Sequence, residues 1–412
     1  MRLSPPRLGA RLRAVLGPDA AGAAQGLVAL LVSSAGDLLA GLTLGAITHT
    51  LEALPGLLVL VPAAIGMRGN IFGALGSRLG TSIHAGTFRL SRRRDTVVGQ
   101  NILASTALTL AISVALAVLA KAIAVGFGLA DTISIADFVV ISVVGGVLSS
   151  AVVLLITLGV AAGAVRFGWD MDTVAAPLVT AAGDVVTLPS LFLATYLVGL
   201  GPFTPSLAVV LTAVSLVALA AAFRSGLPLV RRIMRESVPV LLVAGTVDVV
   251  AGLTIEKRLE SFLAFPALLV LVPPFLEDSG ALGGILSSRL SSKLHLGIIE
   301  PMAVPQKAAR RDAILIFAFA LPVFFLVALS ADLAANVVGL ASPGAWRMVA
   351  ISMLGGMVAT CFAVLIAYYG AIATFRLGLD PDNHGIPLVT SSMDLLGAFA
   401  LILAIVVVGL GP

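Results

Sequence analysis

The 412-residue chain has little of what soluble enzymes and soft-metal sites are built from. Only 11% of its residues are charged, where a soluble domain has roughly a quarter. A single cysteine, Cys361, excludes an internal disulfide framework. With only four histidines beside it, a His/Cys site for a soft metal is not expected. Aromatic residues make up 6% of the chain, which argues against a bulky organic cargo.

Apolar residues, in contrast, account for 59% of the chain, and the mean hydropathy is +1.11. A helix needs about 20 apolar residues to cross a bilayer, and runs of that length recur here between short polar loops. We therefore predict an all-α polytopic membrane protein whose main partner is the lipid bilayer. The basic pI of 9.6 is assigned to membrane topology and not to nucleic acid, because the basic residues fall in the loops.

Eleven membrane-spanning helices are predicted, as five, then one, then five. The expected spans are residues 22–51, 55–84, 96–126, 137–165, 174–200, 206–223, 238–257, 264–292, 313–340, 347–374 and 386–410. The sixth, residues 206–223, contains no charged residue and resembles no other part of the chain.

The other ten spans form an internal duplication. Residues 55–86 align without a gap with residues 266–297, 211 positions later. This predicts a basic N-terminal segment (1–21), a first five-helix repeat (22–201), a linker helix and loop (202–237) and a second repeat (238–412). An odd linker helix makes the repeats parallel, with a pseudo-twofold axis along the membrane normal. Because the repeats are fused, a monomer is expected to suffice.

The distribution of Lys and Arg predicts the orientation in the membrane. With the N-terminus in the cytoplasm, most basic loops are cytoplasmic, while the opposite loops at residues 128–137 and 331–345 contain no Lys or Arg. Lys257 and Arg258 are the main exception. The chain is therefore expected in the cell membrane, with its C-terminus outside.

Two aspartates at matched positions are the strongest candidates for a cation site. Asp184 and Asp394 each end a Pro-Leu-Val-Thr-x-x-x-Asp motif that begins at Pro177 or Pro387. A carboxylate inside a membrane is costly unless a cation, a polar partner or water meets it. A structural aspartate bonded to a nearby threonine is the alternative. Because the position recurs, we favour ion binding, with the two carboxylates converging on one ion. Thr180 and Thr390 of the same motifs are further candidates.

A second matched pair, Asp37 and Asp248, lies in the first span of each repeat. A second cation site and a structural hydrogen bond across a tightly packed interface both fit this pair. Asn70 follows Gly69 in a glycine-rich span, where close helix packing explains most glycines. The functional interpretation is that the backbone of this span faces a pore and that Asn70 supplies an oxygen ligand to the ion.

The repeats differ most around Arg68. The first repeat has Gly66-Met67-Arg68 where the second has Glu277-Asp278-Ser279. Arg68 is expected to pair with Glu277 or Asp278 across the pseudo-twofold axis. The alternative is that the two acids are additional cation ligands.

Two segments carry a family resemblance: PGLLVLVPAAIGMRGNIFGALGSRLGT, from Pro55, and PLVTAAGDVVTLPSLFLATYLVG, from Pro177. They resemble the integral membrane domain of the MgtE magnesium channels, and the fused double unit resembles solute carrier family 41. The resemblance implies five-helix units around a central pore, where the aspartate of the last helix binds hydrated Mg²⁺. Asp184 and Asp394 would take that role, and Asn70 matches the family's Gly-Asn.

The chain departs from that pattern in the second repeat, which has Gly280-Ala281 in place of Gly-Asn. Asp37 and Asp248 match no position of the family pattern with assurance, and no MgtE-type regulatory domain is expected within the chain.

The sequence therefore predicts a divalent cation transporter, not an enzyme, with Mg²⁺ as the transported ion. Channel, carrier and exchanger all stay open, including export coupled to Na⁺ or H⁺. A remote alternative is an intramembrane aspartyl protease, which also uses paired aspartates. The surrounding sequences, SAGD and AAGD, lack the Gly-x-Gly-Asp expected of that class.

Overall fold

A computed structural model describes residues 20–129, 131–167, 171–378 and 386–410, and these residues form helices joined by short connections, with no β-strand among them. The helices are α1 (Ala20–Ala46), α2 (Thr48–Ala53), α3 (Leu57–His84), α4 (Val97–Gly126), α5 (Ile135–Phe167), α6 (Met171–Thr195), α7 (Phe203–Arg224), α8 (Pro228–Glu256), α9 (Leu259–Ala264), α10 (Ala267–His295), α11 (Lys307–Val337), α12 (Ala345–Leu377) and α13 (Ile386–Val407). The predicted all-α membrane architecture is confirmed: ten of these helices are long and apolar enough to cross a membrane.

The helix boundaries correct the expected spans in two places. The span expected at 22–51 is two helices, because α1 ends at Ala46 and the short α2 follows. The same break recurs 211 residues later, where α9 follows α8. Helix α8 begins at Pro228, ten residues before the expected span, since proline is well suited to a first helical turn. The apolar pattern therefore showed only the later part of that helix.

Six helices form a closed ring in which each packs against the next: α1, α6, α3, α8, α13, α10 and back to α1. The first helix of each repeat thus packs between the last helix of its own repeat and the second long helix of the other repeat, which is α10 for α1 and α3 for α8. Helices α4 and α5 cover the ring on one side, and α11 and α12 cover it on the other. Linker helix α7 packs outside, on α4, α5 and α8. The ring brings the matched aspartate motifs of both repeats into one region.

Two glycines make the closest contacts between the repeats. Gly41 of α1 lies against the backbone of Val270 in α10, and Gly252 of α8 lies against the backbone of Val59 in α3. These pairs are equivalent under the 211-residue offset. Glycine is required because a Cβ atom on Gly252 would lie 2.5 Å from the Val59 carbonyl oxygen. Small residues of this kind let membrane helices approach until their backbones touch.

A buried glutamate fixes the start of α3. The Glu256 carboxylate, at the end of α8, accepts hydrogen bonds from the backbone N–H groups of Gly56 (2.7 Å) and Leu58 (3.1 Å). The first N–H groups of a helix lack partners within the helix, and an anion there also suits the helix dipole. The equivalent residue of the first repeat is Gly45, which has no carboxylate. The second repeat therefore caps a helix of the first repeat in this way, but the first repeat does not cap the equivalent helix of the second.

Candidate ion-binding site

The first acid pair joins α1 and α6. The Asp37 and Asp184 carboxyl groups face each other, close enough to share a hydrogen bond if one of them carries a proton. Asp37 is 0% exposed and Asp184 1% exposed, and no donor group of the described residues bonds to any of their four carboxyl oxygens. Two ionised carboxylates at such a distance repel each other, so a cation or a proton between them is required for stability.

The second acid pair joins α8 and α13 in the same way. Asp248 faces Asp394, and the Asp248 side chain is 0% exposed. The Ser391 hydroxyl of α13 lies close to the Asp248 carboxyl group, but within the described residues neither oxygen accepts a hydrogen bond of normal geometry. Asp394 is partly exposed. The sequence prediction that Asp184 and Asp394 converge is therefore modified. They lie within electrostatic reach of each other, but the nearest carboxyl group of each belongs to the first helix of its own repeat.

Helix α10 adds two acids. Both carboxyl oxygens of Asp278 lie within hydrogen-bonding distance of the Ser34 hydroxyl of α1, at 2.8 and 2.9 Å. Glu277 is partly exposed and lies within electrostatic reach of Asp184 and Asp37 from the first pair and of Asp248 and Asp394 from the second. Six carboxyl groups therefore occupy one region of the ring, with Glu277 between the pairs.

No basic side chain neutralises these acids within the part of the chain that the structure describes. The buried ion pairs found there lie elsewhere, as between Arg289, Lys293 and Asp312. Equally, among the described residues no three His, Cys, Asp or Glu side chains are arranged to hold one metal ion directly. The acids are grouped in twos, which suits an ion that keeps part of its water shell.

The expected pairing of Arg68 with Glu277 or Asp278 is wrong. Arg68 is 2% exposed and donates hydrogen bonds to the hydroxyl oxygens of Ser150 (3.1 Å) and Ser113 (3.2 Å), away from the acids. Helix geometry explains the error, because residues two positions apart point to nearly opposite sides of a helix. Gly66 faces the acids, so Arg68 points outward. The alternative, in which Glu277 and Asp278 are additional cation ligands, stays a prediction.

Gly66 lies directly beside the second acid pair. A Cβ atom on Gly66 would lie 3.0 Å from Asp248 Oδ2 and 3.7 Å from Asp394 Oδ2. The equivalent residue in α10 is Glu277. One repeat therefore has a closely packed glycine at the position where the other repeat supplies a carboxylate.

One face of α3 and one face of α10 remain accessible below the acids. The partly or fully exposed residues on these faces match in pairs under the 211-residue offset: Gly66/Glu277, Asn70/Ala281, Gly73/Gly284, Ser77/Ser288 and Thr81/Ser292. All but the first pair are small or uncharged polar residues. Within the described residues α3 and α10 do not pack closely against each other. The two accessible faces therefore belong to helices that are separated within the ring.

The remaining predicted site residues lie around this region. A Cβ atom on Gly69 would lie 3.9 Å from the Thr180 side chain, and one on Gly280 would lie 3.7 Å from Thr390. Helices α3 and α10 thus pack against the Thr-containing motifs at equivalent points. Asn70 is partly exposed on the accessible face of α3. The side chains of Pro177 and Pro387 lie outside the described residues.

Sequence reasoning missed two members of the site. Ser34 has no conspicuous motif, and its contact with Asp278 spans 244 positions. Gly66 was grouped with the packing glycines, although its alignment with Glu277 could have marked it as the neutral counterpart of an acid.

Replacing Gly66 with alanine is expected to lower divalent cation flux about tenfold. The added methyl group would press on the Asp248 carboxylate, and a shift costing about 1.4 kcal/mol changes an equilibrium tenfold. Flux into proteoliposomes would measure it. Gly159→Ala, at an exposed position of α5 outside the site, is the matched control, because a Cβ atom there also meets nothing within 4 Å. Equal flux in both variants would show that glycine is not needed beside Asp248.

Comparisons with known proteins agree with this architecture. The family model described as "MgtE: Divalent cation transporter" matches residues 61–194 and 272–404, once in each repeat. Solute carrier family 41 member 3 from Rattus norvegicus is 25% identical, over 92% of this chain and 86% of its own length. The Mus musculus member 3 is 27% identical over 92% and 81%, and Homo sapiens member 2 is 24% identical over 93% and 70%. No solved structure matches.

Proposed function

The chain belongs to the MgtE family of divalent cation transporters, and on that premise we propose that its six-helix ring encloses the path of a hydrated Mg²⁺ ion. The proposal rests on the carboxyl oxygens of Asp37, Asp184 and Asp248. These oxygens are buried inside the ring and accept no hydrogen bond of normal geometry from the described residues. Burying such groups costs several kcal/mol unless a cation compensates for the lost water.

The chemistry of the acids suits magnesium. Mg²⁺ prefers oxygen ligands, gives up its water reluctantly and is usually held by one or two carboxylates with several waters retained. Facing aspartate pairs can bind such an ion without stripping its shell. Softer metals prefer sulfur and imidazole ligands, and the chain has only one cysteine and four histidines to supply them.

The accessible faces of α3 and α10 supply the route away from the acids. Their small and polar residues, from Asn70 to Thr81 and from Ala281 to Ser292, suit a water-filled space better than contact with lipid. By the distribution of basic residues, this end of the two helices is cytoplasmic and the C-terminus is outside. We further propose that the two repeats are parallel, so that one chain encloses the whole path and works as a monomer.

The membrane potential can drive such an ion inward. Moving a divalent cation through 100 mV is worth about 4.6 kcal/mol, twice the value for a single charge. Inward flow then needs no other energy source. The unequal acids of the repeats, Glu277 against Gly66, favour a coupled exchanger as the second candidate, because an additional carboxylate offers a place for a co-transported ion.

Flux of Mg²⁺ into proteoliposomes containing the purified full chain tests the proposal. We expect dye-reported uptake by the wild-type protein and its loss in Asp184→Asn and Asp394→Asn. Asp95→Asn removes the same charge from an exposed loop residue and should leave uptake unchanged. Normal uptake in both site variants would refute the assignment of the ion path to these acids.

A further inference from the structure

The six carboxyl groups form two separate pairs and not a single focus. Asp37 faces Asp184 between α1 and α6, and Asp248 faces Asp394 between α8 and α13. Each pair contains a side chain that is 0% exposed and accepts no hydrogen bond of normal geometry from the described residues. Each pair therefore independently requires a cation or a proton between its carboxyl groups.

When all of its carboxyl groups are ionised, the cluster carries more charge than one divalent cation balances. Asp278 is partly satisfied by the Ser34 hydroxyl. The other five carboxyl groups accept no hydrogen bond of normal geometry from the described residues, although the Ser391 hydroxyl lies close to Asp248. A single Mg²⁺ neutralises two charges. Two Mg²⁺ ions neutralise four, one pair each, and the remaining carboxylate can reduce the repulsion between them.

Glu277 is placed to be that remaining carboxylate. It lies within electrostatic reach of members of both pairs and is partly exposed on the accessible face of α10. Its counterpart Gly66 lets the α3 backbone approach Asp248 and Asp394 closely, since a Cβ atom there would lie 3.0 Å from Asp248 Oδ2. The cluster is therefore asymmetric, with a carboxylate on the α10 side and no side chain on the α3 side.

We propose that the ring holds two divalent cations at the same time, one at each aspartate pair, and that Glu277 is the carboxylate shared between them. This inference rests on the proposed function, because it assumes that the acids bind the transported ion. It adds the stoichiometry and a specific role for Glu277, which the duplication alone does not supply. The two sites are unequal, since Asp278 lies within electrostatic reach of the first pair at Asp37.

The stoichiometry of Mg²⁺ bound to the purified full chain in nanodiscs, measured by equilibrium dialysis, tests the proposal. We expect two ions per wild-type chain. In Glu277→Gln, we expect about one ion at the Mg²⁺ concentration that gives two in the wild type, with the second bound at least tenfold more weakly. Glu260→Gln, at an exposed residue, should keep two.

A variant with one pair removed gives an independent check. Asp248→Asn combined with Asp394→Asn should bind one ion at the remaining Asp37 and Asp184 pair. If it binds none, the pairs form one site and the inference is overturned.

The number of Mg²⁺ ions bound per wild-type chain distinguishes failure of this inference from failure of the proposed function. One bound ion per wild-type chain would overturn the two-ion inference and leave the transport proposal standing. No bound ion would overturn both. Two ions in wild type and still two, equally tight, in Glu277→Gln would remove the shared role of Glu277.

Discussion

Replacing Asp37 or Asp248 with asparagine is expected to lower Mg²⁺ flux about a hundredfold, as deeply as replacing Asp184 or Asp394. The family pattern draws attention only to the last two, whereas the structure gives each of them a carboxyl partner on the first helix of its repeat. In the proposed arrangement both members of a pair face the same ion, so the loss of either carboxylate should lower the flux equally.

The size of the effect follows from electrostatics. Two unit charges 4 Å apart attract by about 4 kcal/mol at an effective dielectric constant of 20, and a divalent ion doubles this. A third of that energy, about 2.7 kcal/mol, already corresponds to a factor of a hundred. Asparagine keeps the shape of the side chain, so the charge is the main quantity that changes.

Proteoliposome flux of the four single variants and of double variants measures this effect. Residues that act as a unit are not additive, so Asp37→Asn with Asp184→Asn should be little worse than either alone. Asp95→Asn controls for the loss of a charge. Near-normal flux in Asp37→Asn and Asp248→Asn would show that these two aspartates are structural and that the ion passes only Asp184 and Asp394.

The local features of the sequence predicted the helices well because hydropathy and repeat spacing act over short distances. The all-α architecture follows from the apolar runs. The break between α1 and α2 does not, because both helices lie in one apolar run. Helix α8 shows the limit: its first turns carry Arg231, Arg232 and Arg235, so the apolar pattern could not reveal that the helix starts at Pro228.

The arrangement of the site was only partly predictable. The duplication identified the matched aspartates, because a buried carboxylate that recurs stands out against an apolar background. It could not say which aspartate meets which, since that depends on how α1 packs against α6 and α8 against α13. Arg68 was misassigned because pairing was judged by alignment position, whereas the direction of a helical side chain changes by about 100° per residue.

The largest expected effect on folding comes from the glycines at the crossings of the repeats. Gly41→Ala and Gly252→Ala are each expected to destabilise the protein by about 3 kcal/mol or more, the upper end of overpacking costs. The added methyl group would overlap a backbone carbonyl oxygen, of Val270 in one crossing and of Val59 in the other. Backbone cannot move aside as a flexible side chain can, so the two helices must separate.

Thermal unfolding in detergent, followed by the monodisperse fraction after heating, measures the loss for each variant. Gly73→Ala is the matched control: it lies in α3, a Cβ atom there meets nothing within 4 Å, and alanine is the better helix former by up to about 1 kcal/mol. Because the crossings are separate, the double variant Gly41→Ala/Gly252→Ala should lose nearly the sum of the two. Wild-type stability in Gly252→Ala would mean that α8 and α3 do not touch at this point, and the ring that brings the aspartates together would then be wrong.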